Sequence, residues 1–258
     1  MSDSLPEIVK QVRLRTPARL LAGRSGGAYL TTTQLELRAA HAAARDAVRS
    51  EFNLEQHLGV DLITRFELFE VSSAARSKDE YLLRPNLGRQ FSGGSREILI
   101  RQSVKEATLQ IAIGDGLSTA AVAVQVPALL PLLMTGAKDR GWTVGRPFAI
   151  RFCRVGILNE IGTLLCPEVA LLVIGERPGL ATAESLSAYM AFRPTSSHTD
   201  ADRNLISNIH QRGVSPGEAA TRILNLAGRM MLLKSSGVRV REELPCEVSG
   251  QLRRIQQV

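Results

Sequence analysis

Three apolar segments recur in the second half of the chain, and stretches of helical character separate them. The apolar segments span residues 109–113, 148–152 and 169–174. The third is almost continuously apolar, which is typical of a strand that is covered on both faces of a parallel sheet. The helical stretches span about residues 117–140, where we expect Pro127 and Pro131 to break the helix, and residues 157–165. This alternation of strands and helices predicts the α/β fold class.

The first part of the chain has mainly helical patterning. Thr33 and Glu36 have the spacing of a capping box, which predicts that a helix begins there and continues to about Phe52. Its apolar face should contain Leu37, Ala40, Ala44 and Val48. Residues 59–71 fit a helix or a strand equally well, and residues 84–89 contain a proline and a glycine that predict a loop.

A long helix near the end of the chain has the clearest local signals. Ser215 suits the N-cap, Pro216 suits the first helical position, and Glu218 has the spacing of a capping box. Apolar residues follow at helical spacing, and Gly237 stands where a left-handed residue is expected to end the helix. The residues after it predict a basic, weakly structured tail.

Each apolar segment is followed by glycine and polar residues that could form a binding site. These loops span residues 114–118, 153–156 and 175–179. Ligands of open parallel sheets bind outside the carboxyl ends of the strands, so the three loops together are a candidate site. The alternative is that the glycines only allow tight turns from strand to helix, and the sequence favours neither interpretation.

The composition is that of a globular protein with a basic surface. Hydrophobic residues make up 44% and charged residues 22%, and the formal net charge is +7. Aromatic residues make up only 4%, which leaves few platforms for base stacking, and no nucleic-acid-binding motif is recognisable. We therefore expect no nucleic-acid partner, and we expect the positive charge to face an acidic partner subunit or an anionic cofactor.

Apolar stretches and cysteines bear on the location of the protein. The apolar stretches are too short or too interrupted by proline to span a bilayer, and the start of the chain lacks the apolar core of a secretory signal. The three cysteines form no CxxC pair, and together with the four scattered histidines they show no metal-ligand spacing. These observations predict a cytoplasmic protein with reduced thiols, no membrane association and no protein-held metal.

Common catalytic motifs are incomplete in this sequence. The segment that begins Gly114-Asp115-Gly116 starts like a dinucleotide-binding loop, but Thr119 stands where the last glycine is required. No phosphate-binding P-loop and no GxSxG nucleophile elbow is present. His210 has polar neighbours that could suggest acid–base chemistry, although a structural histidine is the more common case. We therefore expect no catalytic residue in this chain.

Seven segments together resemble one family, the small (light) chain of ethanolamine ammonia-lyase. They are TPARLLAGRSGG (16–27), AAHAAARDAV (39–48), LLRPNLGR (82–89), GDGLSTAAV (114–122), RFCRVGILNEIG (151–162), VIGERPGLATAESLSAYMAFRP (173–194) and ADRNLISNIHQRG (201–213). The family's pattern differs at Cys153 and Asn86, where glycine and aspartate are common, and at Arg212, where glycine is common.

The resemblance implies an adenosylcobalamin-dependent lyase that converts ethanolamine to acetaldehyde and ammonia by a radical mechanism. The substrate chemistry would lie in a (β/α)₈ barrel of a separate large subunit, with six copies of each chain. The small subunit would have a Rossmann-like α/β domain and a helical N-terminal part. Its loops would contact cobalamin at the subunit interface, so the cofactor supplies the chemistry and the protein binds and orients it.

The resemblance also implies three cofactor-binding residues. Val155 of the CRVG segment would offer an apolar contact, and Glu176 of the GERPG segment would accept hydrogen bonds from amide or hydroxyl groups. Leu205 stands where the family often has cysteine, and it would keep packing and main-chain contacts but not a thiol contact. The chain lacks the DxHxxG motif that supplies histidine to cobalt in some cobalamin proteins, which fits a cofactor that retains its own benzimidazole.

The resemblance predicts three regions along the chain. They are a mainly helical region 1–95, a Rossmann-like cobalamin-contacting α/β domain 96–237 and a basic tail 238–258. Some enzymes of the family are packaged in a bacterial microcompartment, and the sequence leaves this location open. Two other interpretations also stay open: an α/β assembly subunit without cofactor contact, and a nicotinamide-dependent oxidoreductase.

Overall fold

A six-stranded sheet forms the centre of the computed structural model, which describes residues 6–15, 23–179 and 182–242. Its strands are β3 (Phe69–Ser72), β4 (Leu109–Gly114), β5 (Phe148–Arg151), β6 (Val169–Gly175), β7 (Leu186–Phe192) and β8 (Asn204–Ile209), in the order β3-β5-β4-β6-β7-β8. A separate hairpin pairs β1 (Arg24–Ser25) with β2 (Ala28–Tyr29). Strands β3 to β6 are parallel, whereas β7 runs antiparallel to both of its neighbours. The predicted α/β class is therefore confirmed.

The helices of the described residues are α1 (Glu7–Arg15), α2 (Thr31–Arg49), α3 (Leu54–Leu58), α4 (Val60–Phe66), α5 (Lys78–Leu83), α6 (Gly93–Gln102), α7 (Thr119–Asp139), α8 (Leu158–Leu165) and α9 (Pro216–Leu233). Helices α7 and α9 cover one face of this sheet, and α6 and α8 cover the other. Short 3₁₀ turns lie at Leu87–Arg89, Val155–Ile157, Asp200–Asp202 and Gly237–Arg239. The Rossmann-like description of the domain stays a prediction.

Strand β6 shows why its sequence is apolar throughout. Successive side chains of a strand point to opposite faces. Leu171 and Val173 pack with α7 and α9 in one core cluster, while Leu172 and Ile174 pack with α6 and α8 in the other. Both faces are covered, so no position of β6 can be polar without losing packing. This confirms the interpretation of the continuous apolar run.

Helix α7 is continuous across the two prolines that were expected to break it. Pro127 is exposed and Pro131 is half-buried, so the missing N–H groups do not disturb the buried side of the helix. Among the described residues, α7 is the one helix long and apolar enough to cross a membrane. Its inward side, including Leu129, Leu130 and Leu133, is buried in the core, and a core helix meets the same criterion of length and composition.

The N-terminal helices differ from the prediction in their boundaries. Helix α2 begins at Thr31 after Leu30, so the capping box at Thr33 is not used, and the helix ends at Arg49. The ambiguous residues 59–71 contain both elements, because helix α4 leads directly into strand β3. Strand β3 lies before residue 95 in the sequence and pairs with β5. The sheet therefore contains residues from both sides of the predicted boundary between the first two regions.

The last helix begins as predicted and ends differently. The Ser215 side chain accepts a hydrogen bond from the Glu218 N–H, while the Glu218 carboxylate contacts Arg222. The helix ends at Leu233 with Lys234 in the left-handed conformation, so the predicted stop at Gly237 was wrong. Gly237 has a φ of 73° in a later turn, where a Cβ atom would lie 1.9 Å from the Ala201 carbonyl oxygen. Most of the predicted tail, residues 243–258, lies outside the described residues.

Two leucines of α7 provide a matched test of this packing. Leu129 is fully buried between the sheet and α9, and Leu132 of the same helix is 45% exposed. We expect Leu129→Ala to lower the free energy of unfolding by about 2–5 kcal/mol, because it removes buried methylene groups and leaves a cavity. Leu132→Ala, the control, should change it by about 0.5 kcal/mol or less. Urea unfolding of both variants checks this, and equal losses would contradict the described orientation of α7.

Candidate functional site

A cavity of about 1220 Å³ opens on the face of the sheet that carries α8. One wall comes from α8 and from the turns Leu87–Arg89 and Val155–Ile157. The other wall comes from β7, β8 and the segment around the turn Asp200–Asp202. Ligand cavities of small molecules usually span about 300–1,000 Å³, so this one can accept a large ligand.

Two of the three predicted cofactor-binding residues line this cavity. Val155 is half-buried and packs against the core beneath α8, and Leu205 on β8 is 46% exposed. Tyr189 of β7 pairs directly with Leu205 and also lines the cavity. The structure therefore brings Val155 and Leu205, which are fifty positions apart in the sequence, to the lining of a single cavity.

The third residue, Glu176, lies just beyond the end of β6 and is not among the residues lining the cavity. Its carboxylate accepts hydrogen bonds from Ser185 Oγ at 2.6 Å, from Ser187 Oγ, and from the Asn208 N–H at 3.1 Å. These contacts tie the end of β6 to β7 and β8. Burial raises the pKa of the Tyr189 phenol, and the negative charge of Glu176 adds to this rise.

Charged side chains that were not predicted as site residues also line the cavity. Arg96 pairs with Glu160, with 2.5 Å between Nε and Oε1. The side chain of Arg203 is 5% exposed, pairs with Asp200, and donates to Asn159 Oδ1 at 2.8 Å. The first pair joins α6 to α8, and the contacts of Arg203 join the Asp200–Asp202 turn to α8 and so link the two cavity walls.

Two further arginines, Arg89 and Arg154, lie on interlocked turns. A Cβ atom on Gly88 would lie 2.6 Å from Arg154 Cγ, and one on Gly156 would lie 3.0 Å from Arg89 Cγ and Cδ. Each glycine therefore makes room for the arginine of the other turn. The Arg154 N–H also donates to the Gly88 carbonyl oxygen at 2.8 Å. The sequence holds a signal for this arrangement, since both turns have glycine within two positions of arginine.

Of the three loops predicted to form one site, only that of residues 153–156 reaches this cavity. The loops after β4 and β6 instead pack against each other. A Cβ atom on Gly116 would lie 2.2 Å from the Gly175 carbonyl oxygen, and one on Gly175 would lie 2.1 Å from that of Ser118. The glycines of these two loops therefore serve close backbone packing, which favours the tight-turn alternative for them.

Between the ends of β4 and β5, the protein's own side chains occupy the crevice where α/β sheets commonly bind ligands. The carboxylate of Asp115 is fully buried and accepts the N–H groups of Phe152 at 2.9 Å and Cys153 at 2.8 Å. Lys78 Nζ lies 3.7 Å from this carboxylate. Phe152 has a φ of 58°, a left-handed conformation that Asp115 holds in place. Asp115 thereby sets the path of the chain into Arg154 and Val155.

Burial has the largest effect on the pKa of both groups in this ion pair. It raises the pKa of Asp115, although Lys78 and the backbone donors oppose the rise. It also lowers the pKa of Lys78, and Asp115 opposes that change. Within the described residues, no group of three or more histidine, cysteine, aspartate or glutamate side chains is arranged to hold a metal ion.

Comparison with known proteins identifies the family. The model of the ethanolamine ammonia-lyase light chain family matches residues 6–241. The chain belongs to this family. It is 40% identical to the ethanolamine ammonia-lyase small subunit of Clostridium perfringens over 232 residues, which cover 90% of this chain and 77% of that protein. The small subunit of Fusobacterium nucleatum is also 40% identical, over 90% of this chain and 76% of its own. That of Clostridium acetobutylicum is 36% identical, over 93% and 96%.

The buried ion pair of this ethanolamine ammonia-lyase light chain yields a pH-dependent prediction. We expect Lys78→Met to lower the free energy of unfolding by about 3–5 kcal/mol at neutral pH, because it leaves the Asp115 carboxylate buried and unpaired. Without Lys78 the pKa of Asp115 rises further. A carboxyl group whose pKa is higher in the folded state stabilises that state at low pH and loses this effect as the pH rises. The loss in Lys78→Met should therefore shrink as the pH falls.

Urea unfolding of the isolated chain at neutral and acidic pH measures this effect. Lys138→Met is the matched control, because Lys138 is exposed in the last turn of α7 and should contribute about 0.5 kcal/mol or less. A loss for Lys78→Met that stays constant with pH would contradict the assigned role of Asp115.

Proposed function

We propose that this chain is the small subunit of an adenosylcobalamin-dependent ethanolamine ammonia-lyase and that its cavity contacts the cofactor at the interface with a large subunit. The observation that supports this most is the position of Val155 and Leu205 on one large cavity. The relatives are named small subunits, which implies a large-subunit partner, and we propose six copies of each chain.

The lining of the cavity fits the chemistry of cobalamin. A corrin ring offers a broad apolar face, and Val155, Leu205 and the ring of Tyr189 are the large apolar groups in the cavity lining that could pack on it. The rim of a corrin carries amide groups, and the cavity also presents the side-chain amides of Asn86 and Gln90. Leu205 is exposed in the isolated subunit. A cofactor bound between two subunits would remove this apolar side chain from water, and that burial would stabilise the complex.

Each predicted residue would have a distinct part in holding the cofactor. Val155 and Leu205 would pack on its apolar surface. Glu176 already accepts three hydrogen bonds within the chain, and a carboxylate has about four acceptor positions, so one position would remain for an amide or hydroxyl donor. When bound, adenosylcobalamin would supply the radical chemistry that converts ethanolamine to acetaldehyde and ammonia.

The role of this chain would thus be to bind and orient, with substrate chemistry in the large subunit. The described residues of the cavity include charged pairs that are satisfied by each other, such as Arg96 with Glu160, rather than an activated nucleophile beside a base. We also propose that the assembled enzyme is cytoplasmic.

Reconstitution tests the subunit assignment. We expect the purified chain to show no ethanolamine deamination by itself and to restore it when mixed with a large subunit and adenosylcobalamin. The physical reason is that the substrate site is proposed to be in the other subunit. Large subunit with cofactor but without this chain is the control. Turnover by this chain alone, or no activity in the mixture, would contradict the assignment.

Replacement of Glu176 tests its proposed contact with the cofactor. We expect Glu176→Ala to weaken cobalamin binding to the assembled complex by about 1.5–3 kcal/mol, the usual contribution of a hydrogen bond to a charged group, which is about ten- to a hundredfold in Kd. The KM for ethanolamine at saturating cofactor should stay the same. Equilibrium dialysis with cobalamin and a steady-state assay measure the two quantities.

Ser185→Ala is the matched control for this replacement, because it removes one of the internal hydrogen bonds and keeps the carboxylate. If Glu176 is only structural, both variants should reduce the thermal stability or assembly of the complex and leave the cofactor affinity of intact complex unchanged. That outcome would remove Glu176 from the site and favour an assembly subunit without cofactor contact.

A further inference from the structure

Positive charge is in excess among the residues that line the cavity. The lining contains four arginines and two acidic residues, Glu160 and Asp200. Each of these two carboxylates is paired with one arginine. The remaining two, Arg89 and Arg154, form no hydrogen bond or ion pair with an acidic side chain in the part of the chain that the structure describes. The cavity therefore holds two guanidinium groups whose charge is not balanced by a carboxylate among the described residues.

The environment of Arg154 leaves its guanidinium group incompletely paired. Its guanidinium carbon lies 4.3 Å from the centre of the buried Tyr81 ring, and its Nε is buried without a hydrogen-bond partner. The nearby acid, Asp115, is already paired with Lys78. Burial is the main cause of the lowered pKa of Lys78, the charge of Asp115 opposes it, and the charge of Arg154 adds a smaller lowering. Because Asp115 is paired with Lys78, the charge of Arg154 is left to interact with an anion in the cavity.

The interlocked turns hold both guanidinium groups at the same wall of the cavity. A Cβ atom on Gly88 would lie 2.6 Å from Arg154 Cγ and 2.8 Å from the Phe152 carbonyl oxygen, so a side chain there would displace the stem of Arg154. The stem of Arg89 lies against Gly156 at 3.0 Å, where a side chain would require only a small shift. Holding these stems in advance reduces the conformational entropy that binding must overcome. A pair of planar guanidinium groups is well suited to the oxygens of a phosphate.

We propose that Arg89 and Arg154 form a phosphate-binding pair that receives the phosphodiester of the nucleotide part of cobalamin. The assignment rests on the proposed function, since the ligand of the cavity is taken to be cobalamin. The phosphodiester is the anionic group of that cofactor, and the two guanidinium groups are the unbalanced cations of the cavity. The pair would thus select a complete cobalamin over a corrinoid that lacks the nucleotide.

Two corrinoids test this proposal when they are bound to the assembled two-subunit complex. One is cobalamin, and the other is cobinamide, which lacks the nucleotide and its phosphate. Arg89→Gln, Arg154→Gln and the double variant are compared with the wild type by equilibrium dialysis. Arg89 is exposed, so its variant should fold even if that of Arg154 does not. Arg193→Gln is the matched control, because Arg193 contacts Glu168 at the opposite end of the sheet.

We expect each variant to lose about ten- to a hundredfold in affinity for cobalamin, the range for a hydrogen bond between charged groups, and to bind cobinamide like the wild type. Arg193→Gln should bind both like the wild type. Three results would overturn the phosphate assignment and leave the proposed function standing. They are equal losses of affinity for cobalamin and cobinamide, unchanged affinity for cobalamin, and variants that fail to assemble with the large subunit but keep their cofactor affinity when assembled. A wild-type complex that binds neither corrinoid would overturn both.

Discussion

The buried carboxylate of Asp115 is the constraint on which the geometry of the cavity wall depends. It accepts the N–H groups of Phe152 and Cys153 directly after β5, where the chain adopts a left-handed conformation. A charge in this position is tolerated because Lys78 and the backbone donors surround it. The turn that follows carries Arg154 and Val155, so a contact in the core determines where two cavity residues lie.

The same constraint explains why the site lies away from the usual crevice of an α/β sheet. Ligands commonly bind outside the carboxyl ends of parallel strands, but here Asp115, Lys78 and the packed loops of Gly116 and Gly175 fill that space. The cavity lies instead beside α8, where β7 and β8 extend the sheet. The antiparallel extension therefore does more than complete the core, since it provides the second wall of the cavity.

The sequence predicts elements well where one local rule dominates. Strand β6 was recognisable because both of its faces are buried, and the start of α9 because Ser215 and Pro216 occupy their preferred positions. Boundaries set by tertiary packing were missed, such as the continuation of α7 through Pro127. For the site, the family resemblance pointed to Val155 and Leu205. The arginines could not be found in this way, because their importance depends on which carboxylates lie near them in space.

We propose that this cavity is one half of a cobalamin site that a large subunit completes. An experimental structure of the reconstituted complex with cobalamin bound would show this. We expect a corrin ring between the subunits, in contact with Val155 and Leu205, with the cofactor's phosphate beside the Leu87–Arg89 and Val155–Ile157 turns. A corrin enclosed by the large subunit and separated from this cavity would contradict it.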